Sequence, residues 1–289
     1  MIRKFFRLLS ILVLCAALFF GYQTLEWSNK YKQGHDEYEK LQAQNTPENE
    51  STPENDSDST KELPFCPDWT ALKAENPDIV GWIRMDPTCD YPIMQAQDND
   101  YYLYKGFGRS YNINGSIFLS SVNSSDFSDK NSIVYGHNMR NGDMFGDNDY
   151  YYEKSYCLEH PYFWIYRENG QYTYRIFDVM RVTDATEAYD TQFASDDDFE
   201  TYLNDMKNQS SYTIPDAWPS KTDHIVSLST CVAAHGSTRM IIQGKLVNIT
   251  DYSGDDIPLT SLTTQNQNSN DTPDLSLIHI SEPTRLRRI

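Results

Sequence analysis

The chain has 289 residues, of which 42 are acidic and 24 basic, giving a formal net charge of −18, and only 39% of its residues are hydrophobic. An acidic excess of this size repels phosphate, which argues against a general nucleic-acid binder. Because aromatic residues make up 13% of the chain, global disorder is excluded, and we expect one folded domain with non-globular ends.

The N-terminus has the pattern of a membrane anchor. Residues 1–7 form a basic cytoplasmic end, and the uncharged stretch 8–25 would span about 27 Å as a helix, close to the ~30 Å hydrocarbon core of a bilayer. The alternatives are a cleaved signal peptide and a lipoprotein signal at Cys15. Neither has the small residues that it needs, so we favour an uncleaved single-pass anchor in the cell membrane, with the rest of the chain extracellular.

The anchor is separated from the domain by a polar segment. Residues 26–63 are expected to form a juxtamembrane helix, over 26–44, and then a disordered acidic linker, in which the tetrapeptide TPEN occurs twice. The folded domain is expected at 64–247, followed by a flexible tail at 248–274. Residues 275–289 are interpreted as an adapter-derived artefact, because LSLIHISEPTR resembles a translated sequencing-library adapter.

The predicted domain contains eight short runs rich in β-branched or aromatic residues and bounded by turn-forming residues. These runs are 79–85, 91–95, 115–119, 132–135, 163–166, 172–182, 225–230 and 239–247. Helical segments are predicted at 69–75, 100–105 and 196–208, with Ser195 as the N-cap of the last. This order predicts a mostly β fold, a closed or nearly closed barrel with peripheral helices.

Two residues at neighbouring run ends suggest thiol chemistry. Cys231 follows the seventh run and Arg239 opens the eighth, so hairpin pairing would bring them to the same end of adjacent strands. A guanidinium near a thiol favours the thiolate and can stabilise an oxyanion on the carbonyl that the thiolate attacks. The alternative is a buried structural cysteine and a surface arginine.

His137 comes directly after the fourth run, beside Gly136, where functional groups tend to collect. Cysteine catalysis needs an imidazole to assist thiolate formation and then to protonate the leaving amine. A lone histidine is more often an ordinary polar residue, which is how we interpret the other histidines of the domain and its flanks. The order of His before Cys argues against a papain-like protease, in which the cysteine comes first.

Metal and cofactor chemistry have little support in the sequence. The chain has five cysteines, but they form no CxxC pair, and neither zinc-ligand nor EF-hand spacing is present. We therefore predict no metal and no cofactor. A disulfide between Cys66 and Cys89 would suit an extracytoplasmic protein, but the sequence does not fix it.

Six segments in a collinear order closely resemble the sortases, specifically class B. They are 76–83 (NPDIVGWI), 98–103 (DNDYYL), 115–119 (GSIFL), 135–145 (YGHNMRNGDMF), 228–231 (LSTC) and 239–246 (RMIIQGKL). The resemblance implies an eight-stranded sortase-type barrel with the additional class B helix at 196–208. It also implies a cysteine transpeptidase that needs no cofactor.

By this resemblance, Cys231 would attack the carbonyl of a threonine in a C-terminal sorting signal and form an acyl-thioester. His137 would act as general acid and base, and Arg239 would hold substrate carbonyls and stabilise the oxyanion. The implied partners are surface proteins that carry the sorting motif and a peptidoglycan amine that resolves the thioester. The implied substrate contacts are Asn99, Leu103 and Ser229.

One position departs from the class B pattern. Val232 follows the cysteine where a polar or acidic residue is usual, and we hypothesise that His235 replaces the missing polar contact. Unchanged kinetics in a His235→Ala variant would refute this. Two alternative functions stay open: a membrane-anchored cysteine endopeptidase that uses water as the acceptor, and a catalytically silent wall-binding module.

Overall fold

The computed structural model describes residues 2–45, 63–183, 186–231 and 238–259. The acidic linker expected before the domain lies largely outside these ranges. Val232, His235 and the chain beyond residue 259 also lie outside them, so the expectations for these residues stay predictions.

Eight strands close into a barrel, as the sequence predicts. Neighbouring strands follow the order β5-β1-β2-β3-β4-β8-β9-β6, and pairing of β5 with β6 closes the ring. A ninth strand, β7, pairs only with β6 and was not expected from the sequence. The strands are β1 (Ile79–Met85), β2 (Cys89–Met94), β3 (Ile117–Leu119), β4 (Asn131–Gly136), β5 (Tyr162–Arg167), β6 (Gly170–Thr183), β7 (Ser210–Thr213), β8 (Ile225–Cys231) and β9 (Thr238–Thr250).

Besides the N-terminal helix, three α-helices lie around the barrel in the ranges that the structure describes. They are α2 (Trp69–Glu75), α3 (Lys154–Glu159) and α4 (Asp196–Gln209). Helix α4 begins as predicted, because the hydroxyl oxygen of Ser195 accepts a hydrogen bond from the Asp198 amide at 3.2 Å. Its buried residues recur at helical spacing, which turns one face towards the protein, and they are Phe199, Tyr202, Leu203 and Met206.

The helix predicted over 100–105 is shorter in the structure. Only Tyr101–Leu103 form a single 3₁₀ turn, with the carboxylate of Asp98 accepting the Tyr101 amide at 2.8 Å. The chain then leaves the helical conformation because Lys105 forms an isolated β-bridge with Tyr111. Helix α3 was not expected from the sequence.

The N-terminal helix α1 (Ile2–Asn45) is continuous, so the apolar stretch and the expected juxtamembrane helix form a single element. Within the described ranges, it is the one helix long and apolar enough to cross a membrane, and the side chains of its apolar window are not buried. Its other end packs on the barrel, where Tyr38 and Leu41 belong to the hydrophobic core.

The structured domain reaches beyond the expected boundary at residue 247. Strand β9 continues to Thr250, and the following turn folds back so that the Tyr252 hydroxyl donates to the Arg167 carbonyl oxygen at 2.6 Å. The segment 251–259 is thus part of the domain rather than of a tail. Cys66 and Cys89 are both free thiols in the structure, so it does not support the disulfide that the sequence left open.

Candidate active site

Three adjacent strands, β4, β8 and β9, bring the predicted catalytic residues to one end of the barrel. Strands β4 and β8 run parallel with Gly136 opposite Thr230, so His137 and Cys231 follow at adjacent positions. Strands β8 and β9 run antiparallel with Cys231 opposite Arg239, as the hairpin prediction required. The backbone register therefore places His137, Cys231 and Arg239 at neighbouring strand ends.

A cavity of about 360 Å³ opens beside these strand ends. Its lining includes two members of the predicted catalytic set, His137 and Arg239, and all three predicted substrate contacts. These residues are Asn99, Leu103, His137, Ser229 and Arg239. Residues that are up to 140 positions apart in the chain are thus gathered around one cavity by the closure of the barrel.

His137 is half-buried and is held by the chain segment that carries Leu103. Its Nε2 atom lies 2.6 Å from the Leu103 carbonyl oxygen, and the Tyr104 ring lies 5.6 Å from the imidazole, centroid to centroid. Burial lowers the pKa of His137, the Leu103 carbonyl opposes this, and the positive charge of Arg239 lowers it further. The environment therefore favours the neutral imidazole, which is the form that can accept a proton.

The hydrogen bond also identifies which nitrogen is the acceptor. A carbonyl oxygen only accepts hydrogen bonds, so Nε2 of the neutral ring carries the proton and donates it to Leu103. The Nδ1 atom is then the basic nitrogen. An imidazole held in this way can take a proton from a thiol and return it to a leaving amine.

Aromatic side chains complete the wall of the cavity, and the sequence analysis did not identify them. Tyr189 is hydrogen-bonded to Ser229 through their hydroxyl oxygens at 2.9 Å, and its ring stacks on Tyr135 with centroids 6.1 Å apart. Tyr135 lies two residues before His137 on β4, so strand alternation could have indicated it. Tyr189 comes from the connection between β6 and α4 and has no comparable signal. Phe118 and Thr230 line the same cavity.

Asn99 supports the cavity wall as well as lining it. Its side-chain oxygen accepts the Ser121 amide at 2.8 Å, and its amide nitrogen lies 3.4 Å from the Ser120 hydroxyl oxygen. Asn99 therefore ties the turn before Tyr101 to the segment after β3. The residue fits both a turn-forming role and a role in substrate contact.

The other cysteines of the domain are poor candidates for the nucleophile. Burial raises the thiol pKa of Cys66, Cys89 and Cys157, which keeps these thiols protonated at neutral pH. Cys15 lies in the apolar part of α1. By its backbone position, opposite Arg239 and adjacent to the strand that precedes His137, Cys231 is the candidate nucleophile.

The other described histidines have ordinary partners away from the cavity. His35 Nδ1 lies 2.8 Å from an Asp143 carboxylate oxygen, and His224 Nδ1 lies 3.0 Å from the Asp129 carbonyl oxygen. The His160 ring lies against the Tyr156 ring in a tilted arrangement, with the centroids 4.4 Å apart. Across the ranges that the structure describes, no group of three or more His, Cys, Asp or Glu side chains is arranged to hold a metal ion.

Comparison with known proteins agrees with the resemblance to the sortases that the sequence motifs indicate. The sequence model of the "Sortase domain" family matches residues 88–247. Sortase B of Listeria monocytogenes is 41% identical over 179 residues, covering 61% of this chain and 72% of the Listeria protein. The X-ray structure of Clostridium perfringens sortase B aligns with a TM-score of 0.58 at 32% identity, covering 62% of this chain and 98% of that one. A Staphylococcus aureus sortase B–substrate complex aligns with a TM-score of 0.64 at 28% identity, covering 75% and 97%.

Proposed function

This chain belongs to the sortase family of cysteine transpeptidases, with class B sortases as its relatives, and from this premise we propose that it attaches surface proteins to the cell wall. The proposed substrate is a C-terminal sorting signal, and the proposed acceptor is an amine of peptidoglycan. The observation that supports the proposal is the backbone register of β4, β8 and β9, in which the positions of His137, Cys231 and Arg239 are neighbours at the strand ends.

In the first half-reaction, the thiolate of Cys231 attacks the carbonyl carbon of the threonine in the sorting signal. The guanidinium of Arg239 favours the thiolate and stabilises the negative charge that develops on the carbonyl oxygen. His137 takes the thiol proton and delivers it to the amine that leaves when the peptide bond breaks. The products are an acyl-thioester on Cys231 and the released C-terminal fragment.

In the second half-reaction, the amine of peptidoglycan attacks the thioester carbonyl. His137 accepts a proton from the attacking amine, the carbon–sulfur bond breaks, and Cys231 leaves as the thiolate or thiol. The new bond is an amide, so the energy of the cleaved peptide bond is retained in the linkage to the wall. The proposed reaction needs no cofactor, because side chains of the enzyme carry out each step.

The cavity suits an extended peptide that is held by both aromatic and polar contacts. Tyr135, Tyr189 and Leu103 offer apolar faces, while Asn99 and Ser229 offer hydrogen-bonding groups. The Staphylococcus aureus relative has been solved as a complex with substrate, which supports a peptide site in this fold. We propose that the sorting signal lies along this wall with its threonine carbonyl towards β8.

We further propose that α1 anchors the enzyme in the membrane with the barrel outside. The uncharged segment 8–25 supports this, as do Arg3, Lys4 and Arg7, which precede it and favour a cytoplasmic N-terminus. Both substrates of the proposed reaction are found on the outer side of the membrane. The proposed catalytic domain comprises residues 64–247 together with the structured segment up to residue 259.

The decisive experiment traps the thioester. The full chain in detergent is incubated with a library of sorting peptides, and the adduct is identified by mass spectrometry. Cys231→Ala should abolish the adduct, whereas Cys66→Ala, a change at another free cysteine of the same domain, should leave it unchanged. Full cleavage by Cys231→Ala would refute the proposal.

Two further measurements separate the alternatives. When a wall-derived amine is added, a transpeptidase should form the amide with that amine in place of the hydrolysed peptide. An endopeptidase would continue to release the peptide with a free carboxylic acid. A thiol-reactive analogue of the sorting peptide should label Cys231 in an enzyme, and a lack of labelling would favour a silent wall-binding module.

A further inference from the structure

The C-terminal part of α1, residues 31–45, is packed against the domain; we call it the docked segment. Tyr38 is 2% exposed and Leu41 is 6% exposed, so both are core residues although they lie in the helix that leads from the apolar stretch. The Glu37 carboxylate accepts the Gly108 amide at 3.0 Å and the Asn112 side-chain amide at 2.8 Å. The docked segment is therefore held by both apolar and polar contacts.

One route leads from this segment to the hydrogen-bond acceptor of His137. The Tyr38 hydroxyl donates to the Gly115 carbonyl oxygen at 2.6 Å and lies 2.9 Å from the Ser116 hydroxyl oxygen. The Ser116 amide donates to the Tyr102 carbonyl oxygen at 3.0 Å, and its hydroxyl donates to the Lys105 carbonyl oxygen at 2.8 Å. These bonds fix the backbone on both sides of Leu103, whose carbonyl accepts the His137 hydrogen bond.

The backbone atoms along this route are closely packed. Gly115 has a φ of +59°, and a Cβ atom there would lie 2.4 Å from the Leu103 carbonyl oxygen. The turn that Tyr38 holds is thus in direct contact with the oxygen that orients His137. A shift of the docked segment would be transmitted to that oxygen, since protein interiors are close-packed.

A second route reaches the loop that follows His137. His35 Nδ1 lies 2.8 Å from Asp143, a residue that is 6% exposed, and the other Asp143 oxygen accepts the Asn114 side-chain amide at 2.7 Å. Two residues further on, the Phe145 amide donates to the His137 carbonyl oxygen at 2.9 Å. The docked segment therefore contacts the turn that packs on the Leu103 carbonyl, through Tyr38, and the loop that bonds the His137 backbone, through His35.

From these two routes, we propose that the docked segment is a positioning element of the active site, which fixes the orientation of the His137 imidazole. The proposal rests on the proposed role of His137 in catalysis. It makes the membrane-proximal helix part of the catalytic domain rather than a tether. His137 itself faces Arg239, the Tyr104 ring and the Leu103 carbonyl. In this proposal, the docked segment positions the Leu103 carbonyl.

The test uses the full chain in detergent and two variants that disturb the docked segment. In Gly34→Ala, the added Cβ would lie 2.4 Å from the side-chain oxygen of Asn112, while the alanine favours the helix itself. Tyr38→Phe removes only the hydroxyl. The matched control is Gly21→Ala, because a Cβ there meets nothing within 4 Å. Lys40→Ala, on an exposed position of the docked segment, is a second control.

The proposal predicts a loss of kcat of several-fold in Gly34→Ala and Tyr38→Phe with KM unchanged. An NMR titration should show a displaced His137 pKa in the same two variants and an unchanged one in the controls. Because the Leu103 carbonyl raises the pKa of His137, its displacement should lower that pKa. Thermal unfolding shows whether each variant folds. If Gly34→Ala fails to fold, the kinetics and titration of Tyr38→Phe decide the test.

Two results would overturn the proposal: an unchanged His137 titration in both variants, or an equal loss of kcat in Gly21→Ala. The NMR titration needs no turnover, so it tests the positioning even if the transpeptidase proposal itself fails. Conversely, full activity of a His137→Gln variant would remove the catalytic role of His137 and leave the structural coupling intact.

Discussion

The imidazole of His137 donates its Nε2 proton to the carbonyl oxygen of Leu103 across 2.6 Å. Leu103 is also a lining residue of the cavity, so the residue that orients the proposed base is in the same wall that the peptide would touch. The bond involves the backbone of Leu103, which a side-chain substitution does not remove. Its importance is therefore best tested by changes that move the backbone.

Gly115→Ala is such a change. Its φ of +59° is unfavourable for a residue with a side chain, at a cost of about 1–2 kcal/mol, and the new Cβ would press on the Leu103 carbonyl oxygen. We expect lower stability together with a fall in kcat of at least several-fold. Gly254→Ala, at a φ of +85° in the turn after β9, is the control and should lose stability without a loss of kcat. Normal kcat in Gly115→Ala would contradict the orienting role of this carbonyl.

Arg239 should not be replaceable by lysine. Its guanidinium offers a planar set of donors to a developing oxyanion, whereas lysine keeps the charge but not this geometry. The loss of one such donor typically costs about 10²–10³ in rate. Because lysine keeps the positive charge, we expect a smaller fall in kcat, of about 10- to 100-fold, in Arg239→Lys. Steady-state cleavage of a sorting peptide measures it. Arg175→Lys, which keeps the surface pairing with Asp216, is the matched control and should have wild-type kinetics.

The pH dependence should report a His137 that titrates below its ordinary value. Burial and the charge of Arg239 both lower its pKa from 6.5, so the neutral base persists into mildly acidic solution. The acid limb of kcat/KM is therefore expected below pH 6.5. Replacing Arg239 by Gln removes a nearby cation and should raise the His137 pKa, which an NMR titration of this weakly active variant can measure. A lower pKa in Arg239→Gln would show that the charge effect has been assigned the wrong sign.

The hydroxyl pair of Tyr189 and Ser229 should matter for substrate binding. The oxygens lie 2.9 Å apart on the cavity wall, so removal of either one leaves the other without this partner. We expect Tyr189→Phe and Ser229→Ala each to raise KM several-fold, with a double-mutant coupling of about 0.5–1.5 kcal/mol. Additive effects in the double variant would mean that the pair does not act as a unit.

The sequence was sufficient to predict the barrel because strands and helix starts depend on local residue patterns. Each run of β-branched and aromatic residues became a strand, and Ser195 with its acidic neighbours specified the start of α4. Strand β7 was missed because Ser210–Thr213 is short and polar, and its pairing with β6 depends on tertiary contacts. The same holds for Tyr189, which reaches the cavity from a connection without a periodic pattern.

The sequence of α1 contains a pattern that indicates its packing against the domain. Gly34, Tyr38 and Leu41 lie four and three positions apart, the spacing of one helical face, and all three are buried. Because the surrounding residues are charged, the segment resembles a solvated helix by composition. What the sequence could not supply is the partner surface, since the turn at 112–116 and the loop at 138–146 are formed only when the barrel closes.

The buried carboxyl of Asp178 makes a prediction about stability. Desolvation raises its pKa from 3.8 to about 7, although the Ser210 hydroxyl donates a hydrogen bond to one of its oxygens. The pKa is higher in the folded than in the unfolded chain, so the contribution of this group to stability is complete below pH 3.8 and is lost as pH rises through 7. An asparagine at this position cannot ionise and should not show the loss.

We therefore expect Asp178→Asn to gain stability relative to wild type as the pH rises from 5 to 8, by about 1–3 kcal/mol. Urea unfolding of both proteins across this range gives the difference directly. Asp216→Asn is the control, because Arg175 lowers the pKa of that exposed carboxyl and confines its titration to lower pH. Its difference from wild type should stay constant between pH 5 and 8. A constant difference for Asp178→Asn as well would show that Asp178 is already ionised at pH 5, and that burial does not hold its pKa near neutrality.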